Sequence, residues 1–130
     1  MAVRIVRLGS RRARGEGLRL GTVRRPPRGV RKEQIAASDY YDVWLPELAP
    51  SQSLLTWITS QPITAKRWAT FSRRYQAEMR KPSALRLLTL LAALSRHTNV
   101  AVGCYCQEER HCHRGVLREL LRAAGADIEG

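Results

Sequence analysis

No run of about 18 or more uncharged apolar residues, the length a bilayer-crossing helix needs, occurs in these 130 residues. The opening MAVRIVRLGSRRARG has no apolar block of the kind a secretory signal requires. The expected setting is therefore cytoplasmic, with no membrane partner. Cysteine is scarce, with Cys104, Cys106 and Cys112 the three present. An odd, tightly clustered count does not build a disulfide framework and points instead to reduced thiols, a metal site or simple burial. Acids are scarce in one place. Residues 1–32 hold eleven of the 23 Lys and Arg against a single acid, Glu16, while the rest of the chain is nearly balanced. A basic segment that dense either meets phosphate, on nucleic acid, nucleotide or an anionic surface, or is a soluble arginine-rich face without a ligand. No internal repeat appears. The length suits one domain, 1–130, and 44% hydrophobic content is enough for a core.

What is present is organised around NVAVGCYCQEERHCHRGVLRELL, residues 99–121. Residues 99–105 alternate Val100, Val102 and Cys104 against Ala101, Gly103 and Tyr105, as a period-2 strand requires, and because both faces are apolar the strand is expected to be central. Five polar residues, 107–111, follow. Over 112–124 the apolar residues Val116, Leu117, Leu120 and Leu121 recur on one helical face, and Gly125 is a plausible stop. The first amides of that helix, at 112–115, face the strand's C-terminal end and form a place that attracts anions.

Earlier in the chain, 3–8 and 17–23 read as short strands around an arginine- and glycine-rich loop, 9–17, expected to be mobile or ordered by a partner. The segment 24–32, RRPPRGVRK, is a stiff cationic turn resembling an anion clamp. Residues 38–45 suit a loop or short strand. Ser51 and Thr64 read as N-caps of helices over 52–59 and 65–80, the second burying a stripe of Trp68, Phe71, Tyr75 and Met79. A third helix, 83–97, is so apolar between Leu85 and Leu94 that it should pack directly on the sheet. The sum is an α/β fold, a small single-domain sandwich with a mostly parallel short sheet flanked by helices.

The motifs PRGVRK (27–32), DVWLPELAPS (42–51), Trp57, then Trp68, Phe71 and Tyr75 with Glu78, followed by CYCQEERHCHRGVLREL, resemble the YeaO-like proteins, domain-of-unknown-function family 488, in the form that ends in Cys-His-Arg. The resemblance covers most of the chain and implies a compact α/β domain with no established activity. Where that family often has Asp-Arg-hydrophobic-Trp before PRG, this chain reads LGTVRRP.

Three chemistries fit the organising stretch. In the first, a phosphate-bearing ligand, nucleic acid or nucleotide, is held without covalent chemistry by Arg24, Arg25, Arg28 and Lys32 of the turn together with His113, Arg114 and Gly115. In the second, His111-Cys112-x-x-Gly115-x-x-Arg118 looks like the phosphate loop of cysteine-dependent phosphatases, with Cys112 as nucleophile and Asp39 or Asp42 as acid. The setting differs, because five residues separate the strand from Cys112 and Arg118 falls within the helix, where Arg114, Arg118 and Arg122 would form a solvated row. The third is a metal held by Cys104, Cys106, Cys112 and either His111 or His113. It is not favoured, because Cys-x-Cys on one strand face does not readily give both sulfurs to one tetrahedral ion. Cys104 is then a small buried hydrophobe and no cofactor is expected. A basic interaction protein without catalytic activity is the remaining alternative.

Overall fold

The computed structural model describes residues 1–106, 109 and 111–129. Within them the elements run β1 (Val3–Arg7), β2 (Leu18–Gly21), β3 (Val43–Trp44), α1 (Gln52–Thr59), α2 (Ala65–Glu78), α3 (Pro82–Leu94), β4 (Val100–Cys104), α4 (His113–Ala123) and β5 (Ile128–Glu129), with 3-10 turns at Lys32–Gln34 and Pro46–Leu48. The strands form one five-stranded sheet in the order β3-β2-β4-β1-β5, parallel throughout. The strand with two apolar faces is the central one. All five of its residues are buried, and Val102 sits in register between Ile5 of β1 and Leu20 of β2.

Parallel neighbours need crossovers, and crossovers have one hand. The two connections that carry helices, β3 to β4 and β4 to β5, step across the sheet in the same direction, so right-handed crossovers place α1 to α4 in one layer. Packing of α2 on α1 and α4, and of α3 on α4, agrees. The connections β1 to β2 and β2 to β3 step the other way, so residues 8–17 and 22–42 cover the opposite face. That face has its own small core of Leu8, Val23, Ile35, Tyr41, Cys104 and Cys112. Its strand residues alternate as the pleat demands: Leu20 enters the helical core while Arg19 and Gly21 face the loops.

Local chemistry sets the helix ends. The Ser51 and Thr64 hydroxyls accept from the amides of Leu54 and Arg67, as N-caps do. The Glu78 carboxylate accepts in turn from the Ser51 amide and hydroxyl, locking the start of α1 to the end of α2. Pro82 opens α3, where its missing N–H costs nothing. Gly125, at φ +95°, follows α4. Phe71, Tyr75 and Met79 are buried and Trp68 packs against the same core, as the stripe predicts.

Two expectations are corrected. The third helix ends at Leu94 and packs on α4 and the Pro46–Leu48 turn, leaving Leu85 and Leu90 half-exposed, because α3 lies at the edge of the helical layer. The edge strand β5 carries no signal in the sequence, since two residues are too few to show a period. Loop 9–17 is tied down by the chain's own groups. Arg19, wholly buried, donates to both Glu16 carboxylate oxygens and to the carbonyls of Ser10 and Asp39, while Arg12 bridges Asp39 and Asp42.

Candidate functional site

The strand carboxyl ends are where an open parallel sheet places its ligands. There β1 finishes in Arg7, β2 runs on into Val23–Arg25, and β4 finishes in Cys104 before the chain turns through Tyr105 and Cys106. These ends, with the Pro26-Pro27-Arg28 turn and the segment holding Pro50, Gln52 and Leu55, enclose a cleft of about 960 Å³. Arg7, Arg24, Arg25 and Arg28 line it, together with Tyr40, Tyr105, Cys104, Cys106 and His113. No carboxylate stands among its described lining residues, and none of those four arginines is in an ion pair among the described residues.

The turn is held rigidly enough to present its charges. Arg24 reaches across to the carbonyls of Pro50 and Ala49 (3.0 and 3.1 Å), so its guanidinium anchors the turn to the start of α1. The Tyr105 hydroxyl donates to the Arg25 carbonyl at 2.9 Å, and its ring meets Tyr40 edge to face at 6.0 Å. Arg25 and Arg28 themselves are exposed. Lys32 lies in the following 3-10 turn and is not part of the cleft lining.

His113 opens α4 and is buried, with Nε2 2.6 Å from the Thr22 carbonyl oxygen. A carbonyl accepts only, so Nε2 carries the proton and Nδ1 keeps its lone pair. Burial, opposed by the Thr22 bond and reinforced by the Arg114 charge, pushes the His113 pKa down to about 4, so the ring is neutral at pH 7.

The start of α4 differs from the expected row of amides and solvated arginines. The Cys112 and Gly115 amides donate to the carbonyls of Glu109 and Cys112, so neither is directed at a ligand. Gly115 is needed for another reason: a Cβ there would lie 3.0 Å from the Glu109 carbonyl oxygen. Arg114 is buried, not on a solvated row, and donates to the Val6 carbonyl at 3.1 Å; neither it nor Gly115 is among the cleft-lining residues. Arg118 forms a two-pronged pair with Glu109, both contacts 2.7 Å, and Arg122 pairs with Glu119. Residues 107, 108 and 110 of the loop 107–111 lie outside the described residues.

The phosphatase arrangement does not assemble. Cys112 is buried and absent from the cleft lining, and Arg118 is engaged by Glu109. Asp39 and Asp42 bind Arg12 away from the cleft. Burial pushes the Asp42 carboxyl up, but hydrogen bonds from Arg12 and the Arg19 amide outweigh it and hold the carboxyl below its ordinary value, the wrong direction for a general acid.

The three sulfurs do converge. Cys104, Cys106 and Cys112 place their Sγ atoms within 4.8 Å of one another. Strand alternation does not govern Cys106, because β4 ends at Cys104; Cys106 lies beyond the pleat, where the chain has turned and its sulfur comes back toward its neighbour. His111 is elsewhere, packed on Trp68 with ring centroids 5.3 Å apart. The Cys104 and Cys112 sulfurs touch as in a disulfide, although their Cα atoms stand 7.8 Å apart. Burial raises the Cys106 thiol pKa, with Arg114 drawing it down in part.

Among the described residues no helix is long and apolar enough to cross a membrane. No solved structure gives a significant match. The chain is similar to uncharacterized proteins of Mycobacterium tuberculosis (Rv3073c) and Mycobacterium bovis (Mb3100c), each 32% identical over 95 residues, covering 73% of this chain and 72% of the relative. Residues 3–125 match the Active DUF488-N3 subclade, and the chain accordingly belongs to family DUF488, the YeaO-like proteins.

Proposed function

We propose that the cleft at the strand carboxyl ends binds a phosphate-bearing ligand, a nucleic acid or a nucleotide. One observation carries the reading: four arginines line a single cleft with no carboxylate beside them among the described residues. Guanidinium groups gathered in one cleft repel one another, and an anion relieves that repulsion while accepting two hydrogen bonds from each fork. Arg25 and Arg28 supply the contacts and Arg7 and Arg24 the surrounding field. His113, neutral and bonded to Thr22, contributes shape and not charge. Tyr40 and Tyr105 on the cleft wall offer ring faces to a base, an interaction of about 1–3 kcal/mol per stacked base.

Binding built on phosphate contacts releases counterions, so affinity for a short single strand falls along a straight line in log–log plots against salt, by about 0.7 per phosphate neutralised. Fluorescence anisotropy of a labelled oligonucleotide between low and moderate salt measures this. A steep slope supports the reading, and no binding even at low salt refutes it.

A further inference from the structure

We infer that Cys104, Cys106, Cys112 and the Nδ1 of His113 form a site for a thiophilic divalent cation, zinc by preference, in the wall of the arginine-lined cleft. This goes beyond the anion reading and does not depend on it. A tetrahedral zinc site with Zn–S bonds of about 2.3 Å holds its ligand atoms about 3.8 Å apart. The three sulfurs all lie within 4.8 Å of one another; Nδ1 of His113 is 4.0 Å from the Cys112 sulfur but outside that cluster, so one ion between them requires the Cys104 and Cys112 sulfurs to part and the His113 ring to move toward it.

Two further observations favour a metal over a covalent bridge. The Cα atoms of Cys104 and Cys112 are 7.8 Å apart, beyond the about 7 Å that a disulfide spans without backbone movement. Neither backbone is placed to close that gap. Cys104 ends the central strand, its carbonyl accepting from the Leu8 amide, and Cys112 is fixed by its amide to Glu109 and by its carbonyl to Gly115. A metal inserted between the sulfurs accommodates the longer span. The second observation is the orientation of His113. Metal-bound histidines commonly give their distal N–H to a backbone carbonyl, which fixes the tautomer and aims the other nitrogen at the ion. Here Nε2 meets the Thr22 carbonyl at 2.6 Å and Nδ1 lies 4.0 Å from the Cys112 sulfur.

The charge also balances. Three thiolates and one divalent cation carry a net single negative charge, and the Arg114 guanidinium, held on the Val6 carbonyl, is the adjoining positive group in the chain. On binding, each thiol gives up its proton to solvent and donates a lone pair to the metal, with no change in oxidation state.

The test uses the full chain purified with a reductant and without chelators. Elemental analysis should give close to one equivalent of zinc, and cobalt(II) exchanged into the site should show a tetrahedral visible spectrum with sulfur-to-cobalt absorption. Cys106 is exposed, so Cys106→Ser should match the metal-free parent in melt, gain less from added zinc, lose about a third of that sulfur-to-cobalt intensity and bind zinc at least about 100-fold more weakly. Reduced protein that takes up neither metal, or a Cys106→Ser protein whose affinity and spectrum match the parent, overturns the site. So does recovery of a Cys104–Cys112 bridge that, once reduced, leaves the chain metal-free.

Discussion

Arg19 and Glu16 face each other with almost no solvent around either, the guanidinium donating from Nε and Nη2 to the two carboxylate oxygens at 2.8 and 2.9 Å. The pair joins the arginine-rich loop to β2, and the same guanidinium holds the Ser10 and Asp39 carbonyls. Removing one member of a buried pair strands the other. Glu16→Gln should therefore destabilise the domain by about 3–5 kcal/mol, read as a shift in urea midpoint at pH 7 with little change in slope.

The same carboxylate sets an acid limit. Burial raises the Glu16 pKa, but hydrogen bonds from Arg19 and the Ala13 amide overcome it, and the folded value lies below the ordinary 4.5. Asp42 is shifted the same way. The unfolded chain thus takes up these protons first, so their stabilisation is complete above pH 4.5 and is lost as the pH falls through the folded values. Urea midpoints should be level from pH 7 down to about 5 and then drop, and Glu16→Gln should flatten the drop. An equally steep acid limb in the variant would contradict this assignment.

Tyr75 is fully buried, and its hydroxyl donates to the Leu48 carbonyl at 2.6 Å, fastening α2 to the Pro46–Leu48 turn. Tyr75→Phe keeps the packing and leaves that carbonyl without its donor, a loss of about 1–3 kcal/mol by thermal or urea unfolding.

Gly103 lies in β4 opposite Val6, and a Cβ there would strike the Val6 carbonyl. That carbonyl also accepts from Arg114. Gly103→Ala should push β1 from β4 just before the sulfur cluster, lowering stability and weakening anion binding together, whereas Gly29→Ala, with open space around it, should cost mainly the strain of its φ of +76°.

The elements that repeat a period were legible. Val100, Val102 and Cys104 gave the central strand, and Trp68, Phe71, Tyr75 and Met79 gave a core helix whose cap, Thr64, is where its hydroxyl predicts. Of the residues grouped from the sequence as an anion site, Arg24, Arg25, Arg28 and His113 line one cleft, while Lys32, Arg114 and Gly115 are not among its lining residues. What failed depended on three-dimensional context. Arg114 reads as solvated from helical spacing alone, yet a kinship of position with the Val6 carbonyl, 108 residues away, buries it. The meeting of Cys106 with Cys104 turned on where β4 stops, and strand ends carry the weakest sequence signal. The Arg19 and Glu16 pair was missed because a buried arginine has no pattern distinct from an exposed one; the only clue was a lone acid in a basic quarter.

The most direct test of the cleft is the salt dependence of oligonucleotide binding in the parent chain and in an Arg25→Ala, Arg28→Ala double variant, both side chains being exposed. With phosphate held by these two groups, the variant should melt like the parent, bind more weakly, and lose about 1.4 from the slope of log affinity against log salt. Equal slopes in the two proteins, or a parent whose affinity ignores salt, would contradict the account.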